Sequence, residues 1–330
     1  MLYKIMFLVT LMIGSLISIS SNTWMGMWLG LEINLLSIIP LMNNNNIYSS
    51  EASMKYFITQ AMASTLIMFA IISMFLNMKF MDNKMIILNS ALMIKIGAAP
   101  FHFWFPEIME GLNWLNCLLL LTWQKLAPMI ILMYNLIFPV FLIIIIILSM
   151  LIGSIMGLNQ ISLRKIMAFS SINHIGWLMA SMMYFNSIWT IYYIIYSMIS
   201  ITLTSMFMMF NIFFMKQIFL KIKNNSLFKL LFSMNLLSLG GLPPFIGFMP
   251  KWLVIQSLVN NKMLMMTISM MMITLITLFY YIRIMFSMML INKNQMNFNF
   301  QINLNYKFLI FINLISIFGL ILVNLLFNLM

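Results

Sequence analysis

Charge is scarce in this chain of 330 residues: Asp, Glu, Lys and Arg together make up 7% of it, where a soluble domain carries about 25%. That scarcity excludes a soluble globular protein. Acids are rarest, with five in all, and arginine occurs only as Arg164 and Arg283. The single cysteine, Cys117, excludes a disulfide framework or an Fe–S cluster built within the chain. There is no Gly-rich phosphate loop, no GxGxxG after a strand pattern and no CxxC, so no nucleotide, flavin or dithiol site is legible. His102 and His174 fall on different apolar segments with no partner at ligand spacing, which argues against a metal or a bis-histidine haem. A cleavable signal is also missing. Lys4 precedes an apolar stretch, but no small-residue cleavage site comes before Trp24, so the first segment reads as a retained membrane span.

What is present is apolar: 64% of residues are hydrophobic and the mean hydropathy is +1.05. The chain reads as an all-α polytopic membrane protein. A span needs about 20 apolar residues, and on that criterion roughly eleven are expected. They run over 2–19, 24–41, 54–77, 84–104 (with Pro100), 111–136 (with Pro128), 139–158, 162–184, 188–215, 227–260, 263–290 and 306–327. The ninth is overlong and interrupted by Gly240-Gly241-Leu242-Pro243-Pro244. Asn43–Asn46 reads as a turn and Asn292–Asn305 as a connecting loop, with no soluble domain between spans. The 41 methionines, with abundant Ile, Asn and Phe, suit the codons of an AT-rich organellar genome better than any methionine chemistry.

The net charge of +12 suggests topology rather than nucleic-acid binding. Lys4, Arg164, Lys165, Lys216, Lys221, Lys223, Lys229, Lys293 and Lys307 fall on one face, whereas Lys79, Lys84 and Lys262 fall on the other. The positive-inside rule then puts the N-terminus inside, and an odd number of spans puts the C-terminus outside.

Four ionisable residues stand inside the apolar runs or at their breaks: Glu32, Lys95, Lys125 and Lys251. Each central charge costs about 2.5–3.5 kcal/mol on insertion scales, so the four cost roughly 10 kcal/mol before any pairing. Lys95 and Lys125 lie about ten residues, roughly 15 Å, from either end of their spans, too far for easy snorkelling. Desolvation disfavours a lysine's charge and a nearby carboxylate restores it, so such a side chain can carry a switchable proton. Glu32 is the acid available in mid-span. Glu107 and Glu110 read as solvated or interfacial. His174 follows Ser170, Ser171 and Asn173 in a polar stripe, and a neutral histidine there suits either a proton relay or a hydrogen-bonded core position.

One internal repeat stands out. Pro100-Phe101 is followed by Pro106-Glu107, and Pro244-Phe245 by Pro250-Lys251. The two copies fall in the fourth and ninth spans. A unit of five spans reverses direction on duplication, so repeats over 1–136 and 139–290, followed by a last helix over 306–327, would be inverted. Broken helices at matching positions of inverted repeats point to a transporter's central site.

Four ordered motifs carry a resemblance over nearly the whole chain. They are Lys95-Ile-Gly-Ala-Ala-Pro-Phe-His-Phe-Trp104, Thr122-Trp-Gln-Lys-Leu-Ala-Pro128, Arg164-Lys-Ile-Met-Ala-Phe-Ser-Ser-Ile-Asn-His174 and Gly240-Gly-Leu-Pro-Pro-Phe-Ile-Gly-Phe-Met-Pro-Lys-Trp252. The set resembles the antiporter-like membrane-arm subunits of respiratory complex I, in their short animal form, which are related to subunits of Mrp-type antiporters. The resemblance implies a row of proton-translocating side chains. Glu32 and Lys95 match the family's Glu–Lys pair, Lys125 the central lysine, Lys251 the lysine of the second broken helix and His174 a polar relay. It also implies that NADH, FMN, Fe–S clusters and ubiquinone are handled by other subunits, with no cofactor in this chain. The implied partners are other membrane-arm subunits, neighbouring antiporter-like subunits among them, and phospholipids such as cardiolipin. The implied location is the mitochondrial inner membrane, with the N-terminus in the matrix and the C-terminus in the intermembrane space. Read without the resemblance, the same charges also fit a free-standing cation/proton antiporter, or a structural subunit with static ion pairs.

Overall fold

Apolar runs of this length leave the backbone one economical solution, because a helix satisfies its own N–H and C=O groups where no water can. The computed structural model describes residues 2–43, 46–76, 81–221, 226–290 and Gly319. Among them every regular element is an α-helix, apart from an isolated bridge between Ser162 and Phe214. Seven helical segments among these residues are long and apolar enough to cross a membrane. The expected last span at 306–327, the loop at 292–305, and Lys79, Lys223, Lys293 and Lys307 lie outside the described residues, as do Asn44 and Asn45 of the expected turn.

The chain divides into two compact units, Met1–Ser149 and Met150–Met330. The first contains α1 (Leu2–Ser20), α2 (Trp24–Met42), α3 (Ile47–Leu76), α4 (Met81–Ile96), α5 (Trp104–Gly111), α6 (Trp114–Leu121) and α7 (Trp123–Met133). The division falls within α8 (Pro139–Gly157). The second unit continues with α9 (Leu163–Met182), α10 (Asn186–Met209), α11 (Met215–Lys221), α12 (Ser226–Gly240), α13 (Phe248–Asn260) and α14 (Leu264–Leu290).

In the first unit, α1 and α2 form a hairpin whose backbones nearly touch. A Cβ added to Gly30 would lie 2.5 Å from Ser18 N and 2.7 Å from Gly14 O. In lipid, helix association rests on close packing more than on hydrophobic transfer, and small residues allow that approach. Trp28 Nε1 then ties α2 to α3, donating to Ser64 O at 3.2 Å. In the second unit α9 is buried on every side from Ile166 to Met182, as a helix surrounded by others must be. Serines and threonines throughout bond back to carbonyls three or four residues earlier, as Ser171 Oγ does to Ala168 O at 2.7 Å. A hydroxyl is thereby satisfied within its own helix.

Three expected spans are interrupted, and glycine or threonine marks each break more closely than proline does. The fourth stops at Gly97 (φ +78°), three residues before Pro100. There Ala98 N donates to Met93 O at 3.1 Å and Gly97 N to Ile94 O at 3.2 Å. The ninth stops at Gly241 (φ +78°) in the same way, with Leu242 N on Leu237 O at 3.4 Å and Gly241 N on Ser238 O at 3.1 Å. Both are Schellman caps, which need a left-handed residue that glycine supplies without steric cost. After each cap the matching pattern continues, Phe101 N on Ala98 O and Phe245 N on Leu242 O. The fifth span breaks at Thr122 (φ −112°, ψ −79°), whereas Pro128 lies inside the helix that follows. The eighth ends at Met209 rather than 215, because Asn211 (φ 47°) closes another Schellman cap.

Candidate functional site

In the first unit, the end of α4 places Lys95 in its last turn. The carbonyls there carry the negative end of the helix dipole, which favours a cation. Lys95 is 6% exposed. It lines a cavity of about 10 Å³ of room for a water's centre, with Leu31, Asn34, Leu35, Tyr56, Gln60, Gln124 and Pro128. That is enough for a single water. Glu32 on α2 acts electrostatically on Lys95. It does so from beyond ion-pair contact, since no ion pair joins Glu32 and Lys95 among the described residues. Glu32 itself is half-buried.

Lys125 is 2% exposed and among the largest fully buried side chains. It lies in the first turn of α7, just past the break at Thr122, with its ammonium 5.4 Å from the centre of the Phe105 ring. An aromatic face attracts a cation at that distance. The adjacent Gln124 joins three helices: its Nε2 donates to Asn34 Oδ1 on α2 at 2.9 Å, and its Oε1 accepts from Tyr56 OH on α3 at 3.3 Å.

In the second unit, Lys251 sits in the first turn of α13, 6% exposed. Its Nζ donates to Gly240 O at 2.7 Å and Leu239 O at 3.3 Å. These are terminal carbonyls of α12, which have no partner within that helix. The ammonium thus caps the negative end of a half-helix. Gly241 makes room for it, because a Cβ there would lie 2.8 Å from Lys251 Nζ.

His174, 5% exposed, pairs through Nδ1 with Tyr192 OH at 2.9 Å and packs 5.0 Å from the Tyr196 ring. With Tyr192, Tyr196, Ser238, Leu239, Gly247 and Pro250 it lines a second small cavity. Leu239 and Pro250 flank the Lys251 anchor, so His174 and Lys251 border the same region. The polar stripe of α9 faces partners along its length: Asn173 Nδ2 reaches Thr277 Oγ1 on α14 at 3.5 Å, and Ser171 meets Tyr196.

Lys95, Lys125 and Glu32 therefore gather in one unit, and His174 and Lys251 in the other. Glu107 stands outside, exposed and paired with Lys55 at 2.9 Å. His102 is buried in the α4–α5 connection, its ring 4.5 Å from that of Phe103. Cys117 is buried with its Sγ on Met109 O at 3.6 Å. Among the described residues no cluster of three His, Cys, Asp or Glu side chains could hold a metal. Sequence reasoning passed over Asn34, Tyr56, Gln60, Gln124 and Tyr192, because neutral polar residues in spans are common and only packing brings these together. The one available signal was Gln124, next to a buried lysine.

Buried lysines at the broken ends of half-helices, within an all-helical membrane fold, define an antiporter-type membrane subunit. Residues 21–277 match the family model described as NADH:quinone oxidoreductase/Mrp antiporter, TM. Solved structures share the fold. A chain of respiratory complex I from Thermus thermophilus superposes with TM-score 0.87 at 19% identity, covering 97% of this chain and 78% of that one. A chain of the Mrp complex from a Dietzia species does so with TM-score 0.74 at 15% identity, covering 85% of this chain and 59% of that one. NADH-ubiquinone oxidoreductase chain 2 of Anopheles gambiae is 51% identical, covering 98% of each chain, and that of Lemur catta is 41% identical, covering 89% of each. The protein belongs to the NADH-ubiquinone oxidoreductase chain 2 family.

Proposed function

We propose that this chain is a proton-translocating membrane-arm subunit of respiratory complex I, and that the proton passes along Glu32, Lys95, Lys125, His174 and Lys251. Burial of three lysines on interrupted helices is the observation that carries this reading. Keeping an ammonium out of water costs several kcal/mol even after relaxation. Here helix-end carbonyls and an aromatic ring offset part of that cost at Lys251 and Lys125. Side chains held so close to balance gain and lose a proton with small changes in their surroundings. Quinone reduction elsewhere in the complex alters the field at Glu32. Loosening its hold on Lys95 lets a proton leave for Lys125, and Lys251, once it has released its own proton, takes one up in the second unit and returns as an ammonium to the Gly240 carbonyl.

The two Schellman-capped breaks share one hydrogen-bond pattern, which supports inverted five-helix repeats over 1–136 and 139–290, eleven spans in all. In this reading NADH, FMN, Fe–S clusters and ubiquinone belong to other subunits, and neighbouring antiporter-like subunits and cardiolipin flank this one. The chain crosses the mitochondrial inner membrane, with its N-terminus in the matrix and its C-terminus in the intermembrane space. The test is proton transport by the assembled complex in proteoliposomes. Lys95→Met or Lys125→Met abolishes coupled pumping, whereas a full proton yield per NADH in either variant refutes the row.

A further inference from the structure

The cavity beside Lys95 has a polar wall that the lysine row does not include. Gln60 lines it, is 4% exposed, and its Nε2 is buried without a hydrogen-bond partner. A buried amide left unpaired is destabilising, and such groups in folded proteins are normally satisfied by protein or water. Across the cavity, Gln124 holds Asn34 at 2.9 Å and Tyr56 at 3.3 Å. The same cavity has room for about one water and is lined by Lys95. Gln124 directly precedes Lys125 on α7, and Asn34 is two residues from Glu32 on α2.

We infer that Asn34, Tyr56, Gln60 and Gln124 form a water-holding junction between Lys95 and Lys125, with Gln124 the positioning residue that orients the water. This rests on the lysine row proposed above. An amide suits the position because it donates and accepts at once, so a water beside it can pass a proton in either direction without trapping the charge. Gln60 supplies a donor to the water's oxygen, and Lys95 the exchanging proton. A carboxylate at either amide position would hold the proton, and an apolar side chain would leave the water without its partners.

The test uses the assembled complex in proteoliposomes. It compares Gln124→Leu, Gln124→Glu and Gln60→Leu with Lys95→Met, reading proton yield per NADH, the pH profile and the solvent deuterium isotope effect on coupled turnover. Gln124→Leu is expected to slow coupled turnover about tenfold and raise the isotope effect, with Gln60→Leu affected in the same direction. Gln124→Glu is expected to slow coupled turnover and to add a new ionisation to the pH profile. A merely structural role would lower the yield of intact complex and leave isotope effect and pH profile unchanged, which overturns the inference. If Gln124→Leu fails to assemble, Gln60→Leu decides: a native isotope effect there overturns it. Should Lys95→Met pump normally, the lysine row itself fails. Should Lys95→Met fail while both leucine variants pump with native isotope effects, only the junction fails.

Discussion

Gly241 offers the sharpest contrast with its neighbour. Replacing it with alanine places a Cβ in left-handed backbone (φ +78°), 2.8 Å from both Cδ and Nζ of Lys251. The left-handed conformation costs an ordinary residue roughly 1–2 kcal/mol. The new methyl also pushes the ammonium off Gly240 O, and a hydrogen bond to a charged group contributes about 1.5–3 kcal/mol. Together these amount to about 2.5–5 kcal/mol, acting partly against the fold and partly against the lysine's anchor. Gly240→Ala is the control: its φ is not left-handed and the nearest atom to its Cβ is Tyr281 Cδ2 at 3.6 Å, ordinary contact. In a helix that exchange is even favourable by roughly 1 kcal/mol. The assay is the fraction of intact complex on a native gel after graded heating, together with coupled turnover in proteoliposomes. Gly241→Ala loses intact complex at lower temperature and loses pumping, while Gly240→Ala matches the native protein. Equal behaviour of the two would show that neither the Schellman cap nor the lysine anchor matters.

Other substitutions probe separate elements. Tyr192→Phe removes the hydroxyl from His174 Nδ1 (2.9 Å) and destabilises by about 1–3 kcal/mol if the ring nitrogen is left unpaired. Slower coupled turnover, with the complex still assembled, is the expected readout. Lys55→Ala deletes exposed ion pairs with Glu51 and Glu107, so assembly and turnover stay native at all salt concentrations, exposed pairs being screened by water. Gly30→Leu cannot be accommodated where even a Cβ meets Ser18 N at 2.5 Å. Its α1–α2 hairpin opens, and loss of assembled complex on a native gel reports it.

Much of the fold was legible because lipid permits so little. A run of apolar residues without water can hardly be anything but a helix, so the bounds expected for α1, α2, α8 and α9 agree with the observed helices to within two residues. Charges in those runs were equally plain, since each one stands out energetically. The breaks were only half legible. The break at Gly240-Gly241 was read from the sequence, but those at Gly97 and Asn211 were not, because a cap depends on one left-handed residue and on which carbonyls its neighbours reach. In sequence, Gly97 looks like any other glycine.

The sequence by itself determined the class, the apolar helical runs in outline and the identity of the lysines, because hydropathy and isolated charge are properties of a residue and its near neighbours. Only tertiary structure decided what those lysines touch. Lys251 is twelve residues from Leu239 along the chain but within 3.3 Å of its carbonyl, and Gln124 lies 90 residues from Asn34 yet bonds to it. Close packing of helices brought those groups together, and packing depends on all surfaces at once rather than on any one segment.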